Sequence, residues 1–224
     1  MSWTIRRDTD AHTSNEADCD RLREKLIEAS KENILLFCSA PDIGTTNDHN
    51  SYYPFDCKQV TEMFRIGAMK ADGSIAGMVG NGGRVDFILP GENVEIKEEH
   101  HTITDREHDS PQTGSPIATA LAAGLAALII QCVKLGAIYG VYGPESTGLS
   151  HNSLLAIKKH EAMKRTFNTI RGNSRLESPA PRLGVETYFE GPGKYLKGEW
   201  SAEDKWKKVA RVARDLVEMR MEGS

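Results

Sequence analysis

The alternation of apolar and polar positions divides this chain into three stretches. From residue 13, "TSNEADCDRLREKLIEASKEN" opens on a Thr13 to Glu16 capping box and repeats Leu22, Leu26 and Ala29 at helical spacing, which predicts a surface helix with one buried stripe. "ILLFCSA" (34–40) follows without polar interruption, the pattern of a strand buried on both faces of a parallel sheet. A polar loop over 41–54 leads to "VTEMFRIGAM" (60–69), whose alternation predicts a strand. "KADGSIAG" then makes a hairpin-type turn at Asp72-Gly73. "RVDFILPGENV" is a short strand stopped by Pro90-Gly91, and 92–114 is charged and irregular.

The second stretch, "PQTGSPIATALAAGLAALII" (111–130), runs from a turn-forming lead-in straight into a helix of Ala, Leu and Ile, ending near "LGAIYG". Its apolar run, Pro116 to Ile130, is about 15 residues, too short for a membrane span and suited to a buried core helix. The third stretch predicts two helices. In 153–170, Leu154, Ile157, Met163, Phe167 and Ile170 share one side. In 201–220, Ser201 and Asp204 form a capping box ahead of Trp206, Val209, Val212, Leu216 and Met219. Between them, 171–199 is rich in Gly and Pro and reads as a loop. Helix and strand alternating and then giving way to helices indicate an α/β layered fold.

Composition narrows the function. The chain has 224 residues, 39% of them hydrophobic, and a net charge of −4. No basic excess points to nucleic acid, and no Lys/Arg block points to an anionic membrane. The first residues, "MSWTIRRDTDAH", carry no apolar run of the secretory kind. Cys19, Cys38, Cys57 and Cys132 form no CxxC pair, which fits reduced thiols in a cytoplasmic protein.

A helix N-terminus offers unpaired N–H groups and a positive dipole end, suited to a nucleophile or an anion, so the Gly114-Ser115-Pro116 corner is the first candidate site. The plainer reading is a helix start with Pro in its first turn. "EEHHTITDREHD" (98–109) gathers His100, His101 and His108 among Glu98, Glu99, Asp105, Glu107 and Asp109, in a spacing that matches no zinc signature. "GNGG" (80–83) has no Lys-Ser/Thr behind it and reads as a turn joining two strands rather than a phosphate loop. Neither a metal nor a cofactor is expected.

The order of the segments adds more. "ILLFCSAPDIG", "YYPFDCKQVTEMFRIGAM", "VDFILPG" and "TGSPIATALAAGLAAL" are similar, in this order, to four landmarks of the subtilisin-like serine peptidases. In that family they are the turn with the oxyanion-hole Asn, a "YP…VIAVGA" stretch, a "VDVMAPG" strand and the "GTSMASPHVAGAAAL" helix that carries the serine. The resemblance covers roughly residues 1–135, the C-terminal half of the catalytic domain, and is nearest to fungal intracellular members. It implies a partial subtilisin-like fold: a parallel sheet with a buried central helix and additional C-terminal helices. Residues 136–224 then form a helical extension packing on that half. By the same resemblance the activity is peptide-bond hydrolysis through an acyl-enzyme, with a peptide or protein as partner.

The residues depart from the family where chemistry is needed. Counting back from "AG" in the helix, the nucleophile position falls on Pro116, which has neither a hydroxyl nor an N–H. Ser115 stands one residue earlier. Asp42 occupies the place of the oxyanion-hole Asn, and its plainer reading is a turn residue. The family's Asp and His motifs would both precede Met1. The expectation is a protease domain truncated and impaired, or an inactive pseudopeptidase that binds peptide or protein, with Ser115 and Asp42 as the residues to locate.

Overall fold

A computed structural model describes residues 5–7, 15–44, 51–80, 82–95, 111–143, 147–171 and 180–218. The chain divides into two compact units. The first comprises Met1–Ala29, Leu36–Ala122 and Ser174–Arg182; the second comprises Ser30–Leu35, Ala123–Asn173 and Leu183–Ser224.

The first unit is built on a parallel sheet of β2 (Leu36–Ser39), β4 (Met63–Met69) and β5 (Phe87–Pro90), in the order β2-β4-β5. Leu36 pairs with Met63 and Ile66 with Phe87, so Phe37, Phe64 and Phe87 fall on one face, with Phe37 and Phe64 stacked at 5.0 Å. Every residue of β2 is buried, as its unbroken apolar run predicts. A short antiparallel ribbon joins β1 (Ile5–Arg6) to β3 (Tyr52–Tyr53), and the helix α1 (Glu16–Lys31) buries Cys19 and Leu26. Thr13 of the expected capping box lies outside the described residues.

The expected alternation of 60–69 is not what forms β4. The strand is shorter, and six of its seven residues are buried on one face or the other. Its one polar side chain, Arg65, turns inward: Nε donates to the Phe55 carbonyl at 2.9 Å and Nη2 to the Cys57 carbonyl at 3.1 Å and the Val60 carbonyl at 3.4 Å. The guanidinium thus ties loop 55–60 to the strand. The turn at Asp72-Gly73 forms, with Lys70 N–H donating to the Ser74 carbonyl at 2.8 Å and Gly73 at φ 85°, but only the Met69–Ile75 bridge follows it. Gly80 and Gly82 do not form a turn directly joining two strands either: Gly80 follows one 3₁₀ turn, Gly77–Val79, and Gly82 opens another, Gly82–Arg84.

The helix that begins at the Gly-Ser-Pro corner, α2 (Ser115–Tyr142), has 28 residues, nearly twice the apolar run read from the sequence. Gln131 and Lys134 sit on an open side and do not end it. By length and composition it is long enough to cross a membrane, a correction to the reading from the apolar run alone. Its first two turns belong to the first unit.

The second unit holds the rest of α2 with α3 (His151–Ile157), α4 (His160–Ile170), α5 (Val185–Lys197) and α6 (Ala202–Glu218). The single helix expected over 153–170 is two. It breaks at Lys158-Lys159, where Lys159 takes an extended backbone, and α3 has its own capping box between Ser150 and Ser153. The loop expected over 171–199 contains α5 despite Pro192, which removes one helical donor. Val185, Tyr188, Phe189, Pro192 and Tyr195, all half-buried, form a helical stripe, and that packing outweighs the Gly-Pro-Gly signal. In α6 Ser201 caps the helix, its Oγ accepting the Asp204 N–H at 3.1 Å, but in place of the reciprocal bond of the expected box its hydroxyl donates to Asp204 Oδ2 at 2.6 Å. Its buried line is Ala210, Val212, Ala213 and Leu216 rather than one through Trp206, which stays 38% exposed. The alanines permit close approach: a Cβ on Gly136 of α2 would lie 3.1 Å from the Ala213 Cβ.

Candidate functional site

The carboxyl ends of all three parallel strands meet the start of α2, the place where open α/β sheets put ligands. β2 runs on through Ala40 and Pro41 to Asp42. β4 contributes Ala68, and β5 ends at Pro90-Gly91. Gly91 is required by closeness, since a Cβ there would lie 2.7 Å from the Ala68 Cβ. The Gly114 N–H donates to the Gly91 carbonyl at 2.7 Å and holds the helix start against the strand end. Gly114 takes φ 145°, a backbone suited to glycine.

Ser115 and Asp42, singled out in the sequence, are brought together. The Ser115 N–H donates to Asp42 Oδ2 at 2.7 Å, and its hydroxyl donates to Asp42 Oδ1 at 2.5 Å. The backbone N–H of Ala68 donates in turn to Ser115 Oγ at 3.1 Å. Ser115 is fully buried. Asp42 holds φ 51°, a left-handed backbone that Asp tolerates. Its carboxylate satisfies one of the orphan donors at the head of α2 and faces the positive end of the helix dipole.

Chemically this is a clasp. The hydroxyl proton is committed to a carboxylate, the oxygen carries an N–H, and no solvent reaches it. Asp42 acts as an acceptor on both oxygens and offers no donor to an oxyanion. Pro116, in the next position, adds no N–H. The described histidines, His151 and His160, stand on α3 and α4 of the second unit. The acidic and histidine cluster at 98–109 lies outside the described residues, and no group of three or more potential metal ligands occurs among those described. The part of Ala68 in the site was not visible in the sequence, because a backbone donor leaves no side-chain signal. The Pro90-Gly91 pair, read only as a strand stop, was the available clue.

Below the strand's opposite end, a cleft of about 310 Å³ is lined by Phe55, Asp56, Arg65, Arg84 and Asp86 among others. Four of its five charged residues, Asp56, Arg65, Arg84 and Asp86, are engaged within the chain. Arg84 pairs with Asp56 and lies 5.0 Å over the Phe55 ring, while Asp86 accepts the Arg65 N–H at 2.9 Å. All four described cysteines are free, and burial pushes the Cys38 thiol up to about 12.

No protein-family model matches the sequence, and no curated protein matches it. Solved structures do. A lanthipeptide protease is similar at 13% identity with a TM-score of 0.52, over 82% of this chain and 55% of that one. The prenylagaramide maturation protease PagA is similar at 15% identity and a TM-score of 0.49, over 82% and 57%. A Pseudoalteromonas arctica protease follows at 15% and 0.41, over 81% and 45%. The chain spans about half the length of these proteins. The likeness to the lanthipeptide protease is one of fold: α/β, a partial subtilisin-like arrangement in which a parallel sheet meets a central helix and further helices follow.

Proposed function

We propose that this chain is a protease-like domain that does not hydrolyse peptide bonds in this arrangement and instead holds a polypeptide. One observation carries the reading: Ser115, the first residue of α2, is buried and hydrogen-bonded to Asp42 and Ala68. A nucleophile needs an approach path as well as a base, and Ser115, hydrogen-bonded to Asp42 and Ala68 and fully buried, has no such path. The binding role is drawn from the fold, since the structure this chain resembles is that of a protease, a protein that takes hold of polypeptide.

A second reading, a working serine endopeptidase, draws on the placement of Ser115 at a helix N-terminus beside a carboxylate. Treating the folded chain with a fluorophosphonate probe, with Ser115→Ala as control, separates the two by intact mass. The expected result is no adduct. An adduct that disappears in the control establishes an activated Ser115 and removes the binding-module reading.

A further inference from the structure

Within the second unit, the end of α2 and the start of α6 enclose a cavity of about 380 Å³, lined by Ile138, Tyr139, Tyr142, Gly143, Glu203 and Trp206. That size lies in the range of small-ligand sites. Three of the six residues are aromatic. The Tyr139 and Trp206 rings lie 9° from parallel with centroids 6.3 Å apart, and Tyr142, 85% exposed, supplies a third ring from the last position of α2. Gly143 is required by closeness, since a Cβ there would lie 2.5 Å from the Tyr139 carbonyl oxygen and 2.9 Å from Tyr139 Cε2.

The electrostatics of the cavity have one sign. Glu203 is its sole charged lining residue, and among the described residues no basic side chain lines it. The carbonyl end of a helix carries partial negative charge, which Lys or Arg in the last turn commonly offsets. α2 has no basic residue there. The positive end of α6 is itself offset, by Glu203 and Asp204 in its first turn and by the Ser201 cap. Glu203 Oε1 also meets Lys207 at 3.1 Å, a partly exposed pair that contributes little alone and that a second cation can share.

These features select a particular cation. A primary ammonium has three donors to satisfy, and one carboxylate among rings and aliphatic carbon does not satisfy them. A metal ion needs several ligating side chains, and no group of three occurs among the described residues. An ammonium whose hydrogens are replaced by methyl groups asks for no hydrogen bond and is held over aromatic faces. We propose that this cavity binds a quaternary ammonium group carried by a small solute of the choline type. Its methyl groups meet Tyr139, Tyr142 and Trp206, and its charge faces Glu203. The site belongs wholly to the second unit and does not rest on the reading of Ser115.

Titration of choline with the full chain, followed by the N-methyl proton resonance of the ligand, tests this. The expected result is a saturable upfield shift from the ring currents, with half-saturation at about 1 mM. The neutral alcohol 3,3-dimethylbutan-1-ol has the same shape with carbon in place of the charged nitrogen, and it is expected to bind at least about tenfold more weakly. Tyr142→Ala changes an exposed residue and keeps the fold. It and Glu203→Gln are each expected to weaken choline binding about fivefold. The absence of a saturable shift overturns the proposal. So does equal binding of the neutral alcohol, which makes the cavity merely apolar, and so does choline binding indifferent to both variants, which puts the ligand elsewhere. Attachment of the chain to phosphatidylcholine vesicles with no shift for free choline also overturns it, in favour of a lipid head group.

Discussion

Ser115 gives both its amide and its hydroxyl hydrogen to the carboxylate of Asp42, at 2.7 and 2.5 Å, across 73 residues of sequence. This contact fixes the loop after β2 to the head of α2, and most of the functional reading turns on it. Asp42→Ala removes the acceptor of two buried donors, a change that costs about 2 kcal/mol. Ser115→Ala loses one of these bonds and leaves the Ala68 N–H without its acceptor, for about 1 kcal/mol. The double variant is expected to cost less than the sum, with a coupling of about 1 kcal/mol measured by urea denaturation. Strict additivity would show that the two residues act independently.

Arg65 is the second anchor. Arg65→Met removes the donors to the Phe55, Cys57 and Val60 carbonyls, and a loss of about 3 kcal/mol is expected. Arg65→Lys recovers part of it, since an ammonium cannot reproduce the planar fork. An Arg65→Met chain with an unchanged denaturation midpoint would refute the anchoring role.

The close approach of two loops gives a sharper contrast. Gly80 has φ 70°, and a Cβ there would lie 2.0 Å from the Gly44 carbonyl oxygen, whereas a Cβ at Gly77 meets nothing within 4 Å. Gly80→Ala is expected to lose about 2 kcal/mol or more. Gly77→Ala is expected to be neutral. Thermal melting of the two side by side decides it, and equal melting temperatures contradict the structure.

Stability should fall on the alkaline side. Burial raises the Cys38 thiol from 9.0 to about 12, and burial with the nearby Asp215 raises Tyr188 from 10.0 to about 12. Below about pH 8 both groups are essentially neutral in the folded and the unfolded chain and contribute little to the slope. Between pH 9 and 12 the unfolded chain releases protons that the native one keeps, so the unfolded state gains and stability drops. Denaturation midpoints at pH 8 and pH 11 should differ in that direction, and a Cys38→Ala chain should show a shallower slope.

Much of the first unit was legible in the sequence, because its signals are local and redundant. The apolar run at 34–40, the Pro90-Gly91 stop and the corner before α2 each name one element, and their order suggests the arrangement of the sheet. What escaped has physical causes. Arg65 looks like a solvent-facing residue and makes its bonds inside. The α3–α4 break falls between two lysines, without glycine or proline to mark it. The half-buried Val185, Tyr188, Phe189 and Tyr195 of α5 outweigh a proline that reads as a terminator. At the site, sequence order singled out Ser115 and Asp42, but that their groups are spent on one another depends on a contact across 73 residues that no local pattern signals.

Val94 and Gln112 exchange two backbone hydrogen bonds, at 2.8 and 2.9 Å, just ahead of the corner, and the Asn93 N–H donates to Thr113 Oγ1 at 2.9 Å. The described stretches on either side, ending at residue 95 and resuming at residue 111, are therefore held side by side in one narrow neck. Lengthening the stretch between these residues adds only a slowly growing closure entropy and need not disturb the neck itself. A protein tag or a protease recognition sequence spliced in there should leave the fold intact, which makes this neck the natural port for grafting foreign sequence onto the domain.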